Sequence, residues 1–333
     1  MIYLNAKRVF SYERATDPKL SFEILNALLP DLSSRKVIYA IGKGAESCSS
    51  YISASLLRAG VSVIHCRASS FLEPKQRFIR CGSCISPADI CELAERLASS
   101  ALEIYKLPCA KSHRLFDTLP LSPEEFAFLC GAHLFAESDA ETVIFEVSDG
   151  FFEDILSKLS IIPTCVIITS LDEERTTRKI ALIPTGVSNV IRYSNVPNYD
   201  FISREIAPCG ARISTVSKNK LTLGRATPCG REFYYNSEGF NIRSIEERGV
   251  IYASLSIECL RALSVPRAAT YQGLAAAHPL SDPNLLSISP LVYSATSNDV
   301  DLSCFEGKRI VFLSDEKEMS EQDDLDVAVI IKK

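Results

Sequence analysis

The sequence predicts an α/β protein: a three-layer, mostly parallel sheet followed by a truncated α/β appendage at the C-terminus. Three observations carry this expectation. Short apolar runs alternate with segments of helical periodicity along most of the chain. The first such run, Val37-Ile38-Tyr39-Ala40, leads through Ile41-Gly42-Lys43-Gly44 directly into a helical segment, Ala45 to Ala59. The apolar runs are nearly continuous rather than alternating, as strands covered on both faces require.

Taken in order, Val37 to Ala40 is the first strand, and Gly60 can end the helix that follows it. Val61 to Cys66 is the second strand. Pro87 to Ile104 has helical periodicity with Ser86 as N-cap, and Pro123 to Glu137 repeats the pattern with Ser122 as cap. Thr142 to Val147 is a strand, followed by an acidic turn and a helix from Phe151 to Leu159. Val166 to Thr169 and Val187 to Tyr193 are further strands. Between about 204 and 245 the texture changes: short alternating runs such as Arg212 to Val216 and Lys220 to Leu223, separated by turn residues, read as antiparallel hairpins. Glu246 to Leu263 is a helix ending before Pro266. The tail offers Leu291-Val292-Tyr293, Arg309 to Leu313 and Val327 to Ile331 as strands.

Composition narrows the function. Hydrophobic residues make up 47% and charged residues 23%, which suits a globular core. A net charge of −5 leaves no footprint for nucleic acid or an anionic membrane. No apolar run approaches the roughly 18 residues of a membrane-spanning helix. The opening residues, Met1 to Arg8, have no apolar core and no small-residue cleavage site, so a cytoplasmic protein is expected. Twelve cysteines are scattered between Cys48 and Cys304 and read as buried thiols. The close pair Cys81-Gly82-Ser83-Cys84 has the spacing of a redox centre or half a zinc site. No second such pair completes a zinc site, and the four histidines, His65, His113, His133 and His278, lie far apart in sequence. A plain turn is the competing reading.

Two positions carry possible chemistry. A Gly42-Lys43-Gly44 turn between strand and helix can hold a phosphate with backbone N–H groups and a lysine charge. It can equally be a tight turn with Lys43 in solvent. The Ser or Thr that would hold Mg²⁺ next to it is Ala45 here. Glu46 follows, a carboxylate suited to the positive end of the helix. At about 7 Å and an effective dielectric of 20 it would repel a phosphate charge by about 2 kcal/mol. Glu146, near the end of its strand, is a candidate metal ligand or a solvated carboxylate at the sheet edge.

The order of these elements resembles the Mur ligase superfamily, and within it folylpolyglutamate synthase/dihydrofolate synthase. Such enzymes use ATP to form an acyl phosphate that an amino group attacks. Gly42, Lys43 and Gly44 match the second half of the family's phosphate loop, G-T-N-G-K-G-S/T, while Tyr39, Ala40 and Ile41 stand where it has Gly, Thr and Asn. The T-S-P-H-L loop becomes Ala68-Ser69-Ser70-Phe71-Leu72. Arg77 to Ser86 is similar to the family's R-I-R-I-N-G-x-x-I-S, which makes the Cys81 to Cys84 stretch a turn. Glu146 matches a magnesium-binding carboxylate, and Glu173 stands where a metal-ligand His is expected. Pro184 stands at the lysine that the family carbamylates. The W-P-G-R and D-x-A-H-N motifs become Ala277-His278-Pro279-Leu280 and Tyr293-Ser294-Ala295-Thr296-Ser297.

The resemblance thus implies an ATP-binding-type domain over 1–280, including the hairpin region, and a remnant of the C-terminal ligase domain over 281–333. It implies Gly42, Lys43 and Gly44 for the nucleotide, Glu146 and Glu173 for metal, and ATP with Mg²⁺ as cofactors where activity is kept. Folate or pteroate, with glutamate, are the implied ligands. Three functions stay open: a degenerate ligase, an active glutamate ligase with unusual metal ligands, and a non-enzymatic binding or scaffold protein.

Overall fold

A computed structural model describes residues 17–68, 74–104, 106, 119–147, 155–169, 183–194, 203–204, 206–279, 284–288, 291–295, 310–313 and 327–331. In chain order its elements begin with α1 (Pro18–Leu28), β1 (Lys36–Ile41), α2 (Ala45–Arg58), β2 (Val63–Cys66) and α3 (Pro74–Arg77). Then come β3 (Phe78–Arg80), β4 (Ser83–Cys84), α4 (Pro87–Ile104), α5 (Pro123–Ala136), β5 (Thr142–Val147) and α6 (Ile155–Lys158). They continue with β6 (Cys165–Ile168), β7 (Asn189–Tyr193), β8 (Arg212–Val216), β9 (Leu221–Thr227), β10 (Gly230–Tyr235) and β11 (Glu238–Ile242). The last are α7 (Glu247–Ala262), α8 (Arg267–Ala276), β12 (Asn284–Ile288), β13 (Leu291–Ala295), β14 (Ile310–Leu313) and β15 (Val327–Ile331). The chain divides into two compact units: Met1–Ala45 with Gly60–Arg192 and Val196–Ser214, and Glu46–Ala59 with Tyr193–Asn195 and Thr215–Lys333.

The first unit is built on a sheet of order β4-β3-β2-β5-β1-β6-β7-β8. Strands β2, β5, β1, β6 and β7 run parallel, as their apolar sequences predict. Their carboxyl ends therefore share one edge, and the loops that follow β1, β2, β5 and β6 leave from it. The short β3–β4 hairpin turns on Cys81 (φ 49°) and Gly82 (φ 83°). Positive φ at both central residues is the hairpin geometry that fits the twist of the strands. Cys81 thus opens a turn and Cys84 lies on the strand after it, with both thiols free and exposed.

Helix α5 is apolar on every side, with Phe126, Phe128, Leu129, Cys130 and Phe135 all buried, so it is a core helix. Its start is the predicted Ser122 cap: Ser122 Oγ accepts from the Glu125 N–H (3.1 Å), and the Glu125 carboxylate accepts from the Ser122 N–H (2.8 Å). At its far end Arg35 donates to Ser138 O (2.8 Å) among the terminal carbonyls. It packs on β2 and β5 and against α1 and α4.

In the second unit β9, β10 and β11 form an antiparallel sheet. Phe233 stacks on Phe240 (5.4 Å between ring centroids) and Phe240 on Tyr271 of α8 (4.5 Å). Helix α2 is rich in small residues, which permits close helix contacts. Ser256 of α7 donates to Cys48 O (3.2 Å), and a Cβ on Gly273 of α8 would lie 2.3 Å from Ser55 Cα. The tail is a four-stranded sheet, β12-β13-β15-β14, with β15 parallel to both neighbours. Tyr293 Oη in that sheet donates to Pro228 O in the hairpin region (3.0 Å).

The structure corrects three readings. Arg212–Val216 is not a hairpin strand: Arg212 N–H donates to Ser188 O and Ser194 N–H to Val216 O, so β8 is a parallel edge strand of the large sheet. An edge strand carries the same alternation as a hairpin, so the pattern could not separate them. Ile41 belongs to β1, not to the turn. Helices α1 and α8 and strand β12 were not anticipated. Of the predicted 151–159 helix, 151–154 lie outside the described residues. No helix among the described residues is long and apolar enough to cross a membrane.

Candidate phosphate and metal site

The turn after β1 is shorter than a phosphate loop. Tyr39, Ala40 and Ile41 are fully buried and pair in register with Phe145, Glu146 and Val147 on one side and Val166, Ile167 and Ile168 on the other. The ladder does not stop there. Gly42 N–H donates to Val147 O (3.4 Å), and Thr169 sends both its N–H (2.9 Å) and its hydroxyl (3.0 Å) to Ile41 O. The backbone that would have to arch away from the sheet around an anion is instead strand. What remains is Gly42-Lys43-Gly44, and Gly42 O accepts the Ala45 N–H at 3.0 Å, closing the turn on itself. Gly42 has φ 118°, a conformation that suits glycine. Lys43 is exposed, and Ala45 is buried. Glu46, which opens α2, accepts a hydrogen bond from Ser50 Oγ one turn along (3.0 Å).

The Tyr39 ring explains part of this. It lies edge-on to Phe128 (6.1 Å) and Phe145 (6.0 Å), so an aromatic cluster sits under the turn. A glycine at this position would leave that space empty.

Glu146 lies on the same sheet edge, on the strand next to β1, but its carboxylate is turned toward β2. His65 Nε2–H donates to Oε1 at 2.6 Å, and the Ala68 N–H donates to Oε2 at 3.1 Å. The two side chains are 2% and 4% exposed. Parallel register explains the meeting: His65 stands opposite Ile144, so it shares a face with Glu146 two residues on. Around them Cys66, Arg67, Glu124, Ala127, Phe128 and Phe145 line a small cleft. Burial and the Glu146 charge push the Cys66 thiol well above its ordinary range, so it is not a reactive thiol. Arg77 is also buried. Burial lowers its guanidinium to about 10, against the opposing pull of Glu124 and then Glu146.

The site residues expected from sequence are therefore partly assembled. Gly42, Lys43, Gly44 and Glu146 come to one sheet edge; Glu173 lies outside the described residues, as do Ser69, Ser70 and Phe71. Pro184 is buried and offers no donor. Magnesium wants a near-octahedral set of oxygens. Among the described residues the set does not fit: Ala45 has no side-chain oxygen, no group of three or more His, Cys, Asp or Glu side chains comes together to hold a metal, and each Glu146 oxygen already accepts a hydrogen bond. Sequence reading missed His65 and Arg77 as neighbours of Glu146. A histidine inside the buried run Val63-Ile64-His65-Cys66 was the available signal, because a buried polar side chain needs a partner.

The whole chain can be matched to solved structures. Folylpolyglutamate synthetase from Lactobacillus casei aligns at 15% identity over 99% of this chain and 96% of that one, with a TM-score of 0.73. A folylpolyglutamate synthase complex with AMPPCP and folate gives 0.74 at 15% identity and the same coverage. This chain has the folylpolyglutamate synthase fold. A bifunctional folylpolyglutamate synthase/dihydrofolate synthase with Mn, AMPPNP and L-glutamate bound aligns at 16% identity over 90% of this chain and 74% of that one, with a TM-score of 0.66. The structure thus bears out the expected α/β architecture built on a mostly parallel sheet. No protein-family model and no curated protein matches the sequence.

Proposed function

We propose that this protein keeps the folylpolyglutamate synthase fold with its ATP-dependent amide ligase chemistry weakened or lost. The observation that carries this is the pairing of Tyr39, Ala40 and Ile41 on both sides of β1. A phosphate loop works by offering free backbone N–H groups around an anion, and a ladder strand has none to offer. Ala45 in place of a hydroxyl, and a Glu146 whose two oxygens each accept a hydrogen bond from the chain, point the same way. Phosphoryl transfer depends on positioning and on a metal that neutralises charge, so losses in separate parts of one site compound. The four-stranded sheet within 284–331 is read as a reduced C-terminal ligase domain. A fold needs none of the absent groups, which is how the architecture persists.

The solved neighbours hold AMPPCP and folate, or Mn, AMPPNP and L-glutamate, so the ligands to test here are ATP with Mg²⁺ or Mn²⁺, a folate or pteroate, and glutamate. The expected outcome is no ATP-dependent incorporation of glutamate into dihydropteroate or tetrahydrofolate above background. Turnover by the wild-type chain that disappears in Lys43→Ala would establish an active ligase with unusual ligands instead. Binding of a pteroate or folate without turnover, read by titration calorimetry, would leave a binding protein that uses the old substrate cleft.

A further inference from the structure

We propose that His65 has taken the place of a metal ion as the partner of Glu146, so that this carboxylate is built into the fold and is not a ligand. This rests on the ligase reading only in taking Glu146 as the position of a former metal ligand; the geometry stands by itself. A carboxylate at the carboxyl edge of a parallel sheet is normally held by water, by an ion or by a bound molecule. Here each oxygen accepts a hydrogen bond from a donor of the chain. His65 Nε2–H sits on Oε1 and the Ala68 N–H on Oε2, and both side chains are almost fully buried.

Three features make the arrangement a substitute and not an accident of rotamer. The histidine comes from β2, whose register fixes it on the face that Glu146 occupies. The second donor is backbone, from the residue where β2 passes into its loop, so carboxylate and loop hold each other. The surroundings are tightly packed: Phe128 and Phe145 border the cleft, and α5 lies so close to β2 that a Cβ on Gly131 would fall 2.6 Å from Cys66 Sγ. In such a site a carboxylate without donors would be very costly. A divalent ion would have to share a carboxylate already held by a short, buried hydrogen bond.

Two measurements without nucleotide test this. In a thermal-unfolding cycle, His65→Gln and Glu146→Gln are each expected to lower the melting temperature by several degrees, and the double variant by clearly less than the sum. Additive losses would overturn the proposal. The second is Mn²⁺ titration of the wild-type chain, followed by paramagnetic broadening of the histidine ring resonances, with His65→Gln assigning its signal. The expected result is that the His65 resonance stays sharp at submillimolar Mn²⁺. Broadening of that resonance, together with a stoichiometric Mn²⁺ signal that Glu146→Gln removes, would overturn it. If a variant fails to fold, the wild-type titration still decides: no ring resonance should be lost in step with one bound Mn²⁺. The two readings fail separately. Ligase turnover with no Mn²⁺ beside His65 would remove the proposed function and leave this inference standing; Mn²⁺ at Glu146 without turnover would do the reverse.

Discussion

At the scale of single residues, burial without a partner is the dominant cost. Tyr39 shows it in the clearest form. Its hydroxyl is buried with no hydrogen-bond partner among the described residues, and burial drives its ionisation far above the ordinary phenol range. The ring earns its place through Phe128 and Phe145; the oxygen does not. Tyr39→Phe is therefore expected to leave the protein equally stable or up to about 1 kcal/mol more stable. Chemical denaturation would check it, and a loss of more than that would mean the hydroxyl has a partner. Glu125 shows burial acting on a carboxyl. One of its oxygens closes the α5 cap, and the side chain is fully buried. Burial raises its carboxyl pKa despite the opposing hydrogen bonds from Ser122 and Ser21. The sign follows from linkage: a carboxyl raised on folding contributes most below its unfolded pKa, near 4.5, and that contribution is lost as pH rises toward the folded value. Glu125→Gln keeps an acceptor for the cap and cannot ionise. Its stability curve should lack that decline, so the variant gains on the wild type between pH 4 and 7. Parallel curves across this range would show that Glu125 is already well solvated.

Elements follow from sequence where local chemistry is complete, and diverge where neighbours decide. The predicted bounds of α4 and β5 agree with the structure because a Pro start and continuous apolar runs leave little freedom. Strand β8 was misplaced because pairing partners are not written in an edge strand. The end of β1 was misread for a related reason: a Gly-Lys-Gly turn suggests where a strand stops, but Ile41 stays in the ladder because β5 and β6 both continue beside it. Among helices, α2 and α8 set a clear contest. Replacing Gly273 by Ala should favour an isolated helix by about 1 kcal/mol. Here the new Cβ would meet Ser55 Cα and N within 2.5 Å, and backbone cannot swing aside as a side chain can. Gly273→Ala is expected to cost about 1–3 kcal/mol overall, measured as a lower denaturation midpoint with an unchanged slope. A neutral or stabilising result would show that α2 can shift.

For the whole molecule, the fold was far more legible than the site. Alternating apolar and periodic segments fix an α/β sheet through many residues at once, and the loss of any one motif leaves that record intact. The site depends on a handful of contacts between strands distant in sequence. His65 and Glu146 are 81 positions apart, and only strand order brings them together. Glu173 lies outside the described residues, and its expected metal role is tested by the ligase assay. The overall expectation is weak nucleotide binding. At a dissociation constant near 1 mM, a few millimolar ATP·Mg²⁺ stabilises the folded state by about 1 kcal/mol, a shift of a few degrees at most. A micromolar constant would give several times that shift and overturn the expectation.

The continuous pairing of β1 has a consequence for evolution as well as for chemistry. Restoring a hydroxyl at Ala45 changes one side chain beside a backbone that still has no loop. Replacing Tyr39 by glycine alone would empty an aromatic core, and freeing Ile41 alone would strand its carbonyl from Thr169. On the proposed reading, each change in β1 carries its own stability loss and returns no phosphate binding until the others are present, so a return to a phosphate-binding loop is uphill where it would have to start.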